Sequence, residues 1–256
     1  MKSIYFLGLL LLIMTACVKK ELLESIPEPM HTGVKVTIDW AYMEGDDRTE
    51  TAVIKIADKT FFVAEGDQAA PVYMVPGHYT VYLYTICENI MLSGNKAVVT
   101  TLWDDKIVSK PGIFYSVAEN VEISEMCISE VTLKPMPRIR KLNLKVELGN
   151  YTLGKITGSI TGIAGEYDIL TDTKTHRKTV YFDFDGISST VNIFGIMDHP
   201  QLLCLDLIQP QDSAYCYRSV QNIHELFEDF DRDKQHPKSI TIEFEKGDIS
   251  GFYINE

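Results

Sequence analysis

RKLNLKVEL, residues 140 to 148, sets Leu142, Leu144, Val146 and Leu148 in strict alternation with Lys141, Asn143, Lys145 and Glu147. Side chains two apart on an extended chain share a face, so this period of two makes a strand with one buried and one wetted face. Upstream, the segment KPMPRIRK (134 to 141) places two prolines among basic residues and reads as a boundary near residue 135. The pattern recurs on both sides. Before the boundary, Val34, Val36, Ile38 and Trp40 alternate with Lys35, Thr37 and Asp39, followed by Ala52, Ile54 and Ile56, the run HYTVYLYTI (78 to 86), and segments at 97–102, 113–118 and 127–134. After it come 156–163, then Val180, Phe182 and Phe184, Val191 and Ile193, 203–207, and Ile240, Ile242 and Phe244. Glycines 158, 162 and 165 imply a bent or closely packed strand.

One segment departs from this period. Val220, Ile223, Phe227 and Phe230 recur at helical spacing behind Ser219, predicting a helix over 220–230. The chain therefore reads as all-β: an N-terminal β-sandwich over 33–135 and a C-terminal one over 136–256, immunoglobulin-like in strand spacing, with one short helix in the second.

Residues 1–16 pass from Lys2 through an apolar run, Ile4 to Met14, to Thr15 and Ala16 before Cys17, which is a signal-peptide pattern. The run is far shorter than the roughly 20 residues a spanning helix needs. IMTAC (13 to 17) resembles the bacterial lipobox, with Met14 where leucine is usual. That resemblance implies a diacylglycerol thioether on Cys17, an N-acyl chain such as palmitate, and a membrane-anchored mature protein. Residues 17–32, with charges and two prolines, read as a lipidated tether.

Acidic residues outnumber basic ones by 36 to 24, and no basic cluster beyond Lys19 and Lys20 could track a phosphate backbone, which argues against nucleic acid. Cys87, Cys127, Cys204 and Cys216 remain besides Cys17. Cys204 and Cys216 lie symmetrically about Pro210, so a hairpin there would let them face each other; the spacing admits a disulfide or two reduced thiols.

No catalytic constellation is present: the chain lacks a phosphate loop, HExxH and GxSxG. The histidines, at 31, 78, 176, 199, 224 and 236, are scattered, so no metal site or cofactor is expected. Asp229, Asp231 and Asp233 begin like a calcium loop, but Lys234 stands at the glycine position and Ile240 at the bidentate glutamate position. The acidic loop Glu44 to Asp47 with Glu50 reads as a solvated tip. Tyr82 and Tyr84 share one face of their strand, which suits either sugar stacking or cover by the neighbouring domain. Asp212-Ser213-Ala214 looks like an O-glycosylation acceptor, and Asn150-Tyr151-Thr152 forms an N-linked sequon.

IMTAC, GVKVTIDW (33 to 40), PGHYTVYLYTI (76 to 86), RKLNLKVEL and GSITGIAGEYDIL (158 to 170) together, in this order, resemble the fimbrillin-like lipoproteins of the Bacteroidetes. The resemblance implies two transthyretin-like sandwiches, a lipid anchor in the outer membrane at the cell surface, and a non-enzymatic role as anchor, accessory subunit or adhesin of a pilus, with pilin-like partners joining by strand addition. Stalk subunits of such families are matured after an early-loop arginine. Here that position is Arg48, and loss of the lipidated segment would free the subunit, so the resemblance points to the anchor type. The alternative is a glycan-binding lipoprotein serving a polysaccharide importer; with only Trp40 and Trp103 as tryptophans, it is less well supplied with platforms.

Overall fold

The computed structural model describes residues 31–43, 51–64, 71–103, 106–149, 154–197, 200–209, 212–232, 236–245 and 248–255. Cys17, the signal segment, most of the tether, the 44–50 loop with Arg48, and the 150–152 sequon lie outside them. Among the described residues twenty strands appear, in agreement with the all-β expectation. The first half holds β1 (Gly33–Ile38), β2 (Thr51–Ile56), β3 (Lys59–Ala64), β4 (Val72–Tyr73), β5 (Gly77–Thr85), β6 (Ile90–Ser93), β7 (Lys96–Val99), β8 (Thr101–Trp103), β9 (Lys106–Ile107), β10 (Tyr115–Ile123), β11 (Ile128–Leu133) and β12 (Met136–Pro137). The second holds β13 (Arg140–Glu147), β14 (Lys155–Asp168), β15 (Thr173–Asp183), β16 (Ser188–Ile193), β17 (Leu202–Gln209), β18 (Asp212–Asn222), β19 (Lys238–Glu245) and β20 (Asp248–Asn255). No described helix is long and apolar enough to cross a membrane.

The first sandwich packs a three-stranded sheet, β11-β1-β4, on a five-stranded one, β12-β10-β5-β2-β3. Val34 and Val36 from the first sheet meet Ile54, Ile56, Val81 and Leu83 from the second, all buried. The second sandwich packs β16-β13-β19-β20 on the sheet β18-β17-β14-β15-β9-β8. In β13 the alternation is literal: Leu142, Leu144 and Val146 are buried while Lys145 and Glu147 are exposed. Each such burial stabilises by about 1.5–3 kcal/mol before entropy is counted.

The same parity carries Arg140 to the buried side. Its guanidinium donates to the carbonyls of His236 (2.8 Å) and Phe230 (2.7 Å) and lies 5.1 Å from the Phe230 ring centroid. A cation at a core edge is tolerable here because its N–H groups are met by carbonyl oxygens.

Strand β14 explains its glycines. Its first half pairs with β17 and its last residues with β7, and the pairing with β15 shifts register between Ile160 and Ile163, where Gly162 has φ +74°. A left-handed residue at the bulge turns the strand from one partner to another. Gly158 has no room for a Cβ, which would run into the Phe182 ring.

Two expectations need correction. Residues 90–107, placed by the linear boundary in the first sandwich, pair with the second: β7 lies against β14 and β9 against β15. The expected helix over 220–230 is only a 3-10 turn, His224–Phe227. Val220 belongs to β18 and is exposed, while Ser219, read as a cap, is a buried strand residue whose hydroxyl meets Asp248. The three-residue spacing of the apolar groups is satisfied by consecutive turns, Leu226 N–H to Ile223 O and Phe230 N–H to Phe227 O, which bury Ile223, Phe227 and Phe230 without a regular helix.

Candidate binding face and sheet edges

The outer face of the large second sheet is built by the same alternation. With Ile156, Ile160, Val180 and Phe182 turned into the core, Thr157, Ser159, Tyr181 and Asp183 must point outward. Register aligns them in two rows. Ser159 sits beside Tyr181 on one flank and Cys204 on the other, and Thr157 sits between Asp183 and Asp206. Beyond them Asp206 faces Arg218, which grips it with two hydrogen bonds of 2.6 and 2.9 Å. Asp183 pairs with Lys155 at 3.6 Å.

The opposite flank is aromatic. Lys106 holds its ammonium 5.0 Å from the Trp103 ring centroid and 4.4 Å from that of Tyr181. Trp103 and Tyr181 remain 56% and 41% exposed. Small side chains in the middle and tall ones at the side leave a cleft of about 340 Å³. The sequence pointed to Trp103 only as one of two tryptophans. Tyr181, Lys106 and the Asp206–Arg218 pair were missed, and the available signal was parity: each lies one residue from a core position.

The edges of the smaller sheet differ from each other. On β16, Asn192 donates its backbone N–H to Ser109 O and its side-chain amide to Pro111 O, at 2.8 and 2.9 Å, so a crossing segment covers that side. β20 is the outer strand at the other end and, among the described residues, carries no strand on its far side. Tyr253 and Ile254 there are 52% and 47% exposed.

Tyr82 and Tyr84 stack at 6.5 Å, with Lys55 over both rings, and Tyr84 belongs to the core cluster that continues into the second sandwich. The neighbouring domain covers them. Cys204 and Cys216 do not oppose each other: Cys204 faces Val220 and Cys216 faces Ile208, so the Asp206–Arg218 pair lies between them on that face. All four described cysteines are free thiols. A disulfide needs Cα atoms within about 7 Å, which this register does not give.

Trp40 is half-buried against the first core. His224 contacts Gln201 Oε1 through Nδ1 at 2.7 Å and His176 lies 3.2 Å from Glu166, whereas His199 is outside the described residues. Asp229 pairs with Arg232 at 2.6 Å and Asp231 with Lys174; Asp233 is outside the described residues. Among the described residues no three His, Cys, Asp or Glu side chains converge on a point suited to a metal.

No protein-family model matches the chain, and no curated protein matches it. Solved structures do. A candidate adhesin from Bacteroides ovatus superposes with a TM-score of 0.63 at 17% identity, covering 88% of this chain and 92% of that one. A candidate polysaccharide-binding protein from Bacteroides thetaiotaomicron gives 0.61 at 10% identity, covering 88% and 98%. The fimbrial anchor protein Mfa2 from Porphyromonas gingivalis gives 0.58 at 10% identity, covering 87% and 96%. The likeness is one of fold. It extends over both sandwiches, in agreement with the two-sandwich architecture expected from the alternation.

Proposed function

We propose that this chain is a fimbrillin-like surface lipoprotein that acts, without catalysis, as the anchor or an accessory or adhesive subunit of a pilus-like assembly. Acylated Cys17 fixes it in the outer membrane, residues 18–32 give reach, and the paired sandwiches present their edges outward. The observation that carries the reading is the one-sided pairing of β20, the last strand of its sheet. An unpaired strand edge offers a row of N–H and C=O groups to an extended segment of another subunit, and exposed Tyr253 and Ile254 offer that segment apolar contact. The match in fold to a fimbrial anchor protein and to a candidate adhesin, each over most of both chains, supports it.

Gentle cross-linking of the intact protein in native membranes, followed by recovery of what co-purifies, tests this. The expected result is β-sandwich subunits of a pilus, lost when Tyr253 and Ile254 are both replaced by lysine, with release of the protein from membranes on Cys17→Ala. Recovery of an importer with bound oligosaccharide in their place would overturn the anchor reading in favour of the glycan-binding one.

A further inference from the structure

From the cleft on the outer face of the large second sheet, we infer a binding site for a neutral oligosaccharide, walled by Trp103 and Tyr181 and floored by Thr157 and Ser159. Four observations converge. The face cannot accept a strand, because β14, β15 and β17 are already paired on both sides. What it can accept is a ligand lying flat on it. The aromatic wall is pre-set: the Lys106 ammonium between Trp103 and Tyr181 holds both rings while leaving them exposed, so ordering them costs little at the moment of binding.

Sugar rings present an apolar C–H face and a rim of hydroxyls. The wall suits the first and the floor the second, with the Thr157 hydroxyl between the carboxylates of Asp183 and Asp206 and the Ser159 hydroxyl between Tyr181 and Cys204. Charge gives no preference to a cationic ligand. Asp206 is gripped by Arg218 and Asp183 lies 3.6 Å from Lys155, so both carboxylates keep lone pairs for hydroxyls, while the Lys106 ammonium is turned to the Trp103 and Tyr181 rings. Size selects against a protein: a cleft of about 340 Å³ falls at the small end for ligand pockets, whereas a protein partner needs roughly 800 Å² of matching surface.

The inference is independent of the anchor reading, because it concerns the sheet face and not the β20 edge. Its test uses the full-length protein in a detergent without a sugar headgroup. Trp40 and Trp103 are the only tryptophans, so Trp40→Phe leaves Trp103 as the sole emitter. The probes are five neutral hexasaccharides: α- and β-linked glucose, xylose, mannose and N-acetylglucosamine.

At least one should shift Trp103 emission saturably, and calorimetry on the otherwise native chain should show its affinity falling about tenfold or more in Trp103→Ala and in Tyr181→Ala, the scale of one lost stacking contact. Ser159→Trp, which fills the floor and keeps the wall, should abolish binding, and Phe62→Ala on the first sandwich should leave it unchanged. No saturable response to any probe at ~10 mM, where even weak sugar sites fill, overturns the inference. Binding that survives all three cleft substitutions does so equally.

Discussion

Both sandwiches lay their first strand parallel to a late one, β1 on β11 and β13 on β19, yet they differ in where their remaining strands originate. The first closes with strands drawn from 33–85 and 115–137. The second takes residues 90–107 out of the first half, inserting β6, β7, β8 and β9 beside β14 and β15. Its core cluster reaches back to Val53 and Tyr84 as well as to Ala97, Val99, Ile107 and Phe114. The small sandwich therefore does not stand beside a finished neighbour. Its sequence supplies part of the neighbour's wall, so apolar packing joins the two as well as the crossing chain.

The strongest challenge to that continuity is removal of Phe194. It is fully buried, edge-on to Phe114 at 6.0 Å and stacked with Tyr167 at 6.0 Å, so it ties the excursion to the second core. Phe194→Ala should cost about 3–5 kcal/mol. Denaturant unfolding monitored separately by Trp40 and Trp103 should still give coincident curves, because residues of the first half, Val53 and Tyr84 among them, complete the second core. Two resolved transitions in the native protein would break the comparison.

Arg138 sharpens it next. At the proline-marked crossing it donates to Ser116 Oγ (3.1 Å) and Ser116 O (3.2 Å) on the first sandwich and to Asp172 (3.2 Å) on the second, with its guanidinium 5.2 Å from the Tyr167 ring centroid. Its side chain is 16% exposed. Arg138→Ala should cost about 1.5–3 kcal/mol, the range for hydrogen bonds to a charged group, and should separate the two tryptophan transitions. Lysine should not restore coincidence, since it lacks the planar fork.

These tests mark where sequence reading reached and where it stopped. Period-two alternation is a local property, so β1, β2, β5, β13 and β19 were legible from side-chain parity alone. Sheet membership is not local. Nothing in Lys96–Val99 says that it will pair with Glu166–Asp168, and the prolines of KPMPRIRK mark a crossing that is real without being a domain cut. β3 and β20 were missed because KTFFVA and DISGFYIN do not alternate cleanly, as edge strands need not. At the candidate face, Trp103 was visible by its identity. Tyr181, Lys106 and Arg218 become a set only when register places them together. The 220–230 helix failed because residues three apart also fit successive turns.

A smaller effect probes how the borrowed strands are held. Lys96 on β7 donates to Glu166 Oε1 at 2.6 Å, and Thr175 donates to the same oxygen at 2.9 Å. The Lys96 hydrogen bond, opposed in part by burial, holds the Glu166 carboxyl below its ordinary 4.5. A carboxyl with a depressed folded pKa adds stability that is fully present above about pH 4.5 and is lost as pH falls through the folded value. Lys96→Met should therefore destabilise at neutral pH by an amount that shrinks toward zero in acid. A difference independent of pH would assign the effect of Lys96 to packing.

The smallest effect concerns the thiols, one shielded and one exposed in each half of the chain. Burial pushes the Cys87 thiol up to about 12 and raises that of Cys204, the latter with help from Asp206, whereas Cys127 and Cys216 are exposed. Thiolate is the reactive form, so a maleimide should modify Cys127 and Cys216 first, then Cys204, and Cys87 last. Since the register keeps Cys204 and Cys216 apart, with the Asp206–Arg218 bridge between them, replacing both by serine should change stability by no more than about 0.5 kcal/mol. Loss of about 2–4 kcal/mol, with one pair of cysteines refusing label until reduced, would mean that the hairpin shifts register to close a disulfide. Arg218 would then lose its place opposite Asp206, and the floor of the proposed sugar site would change with it.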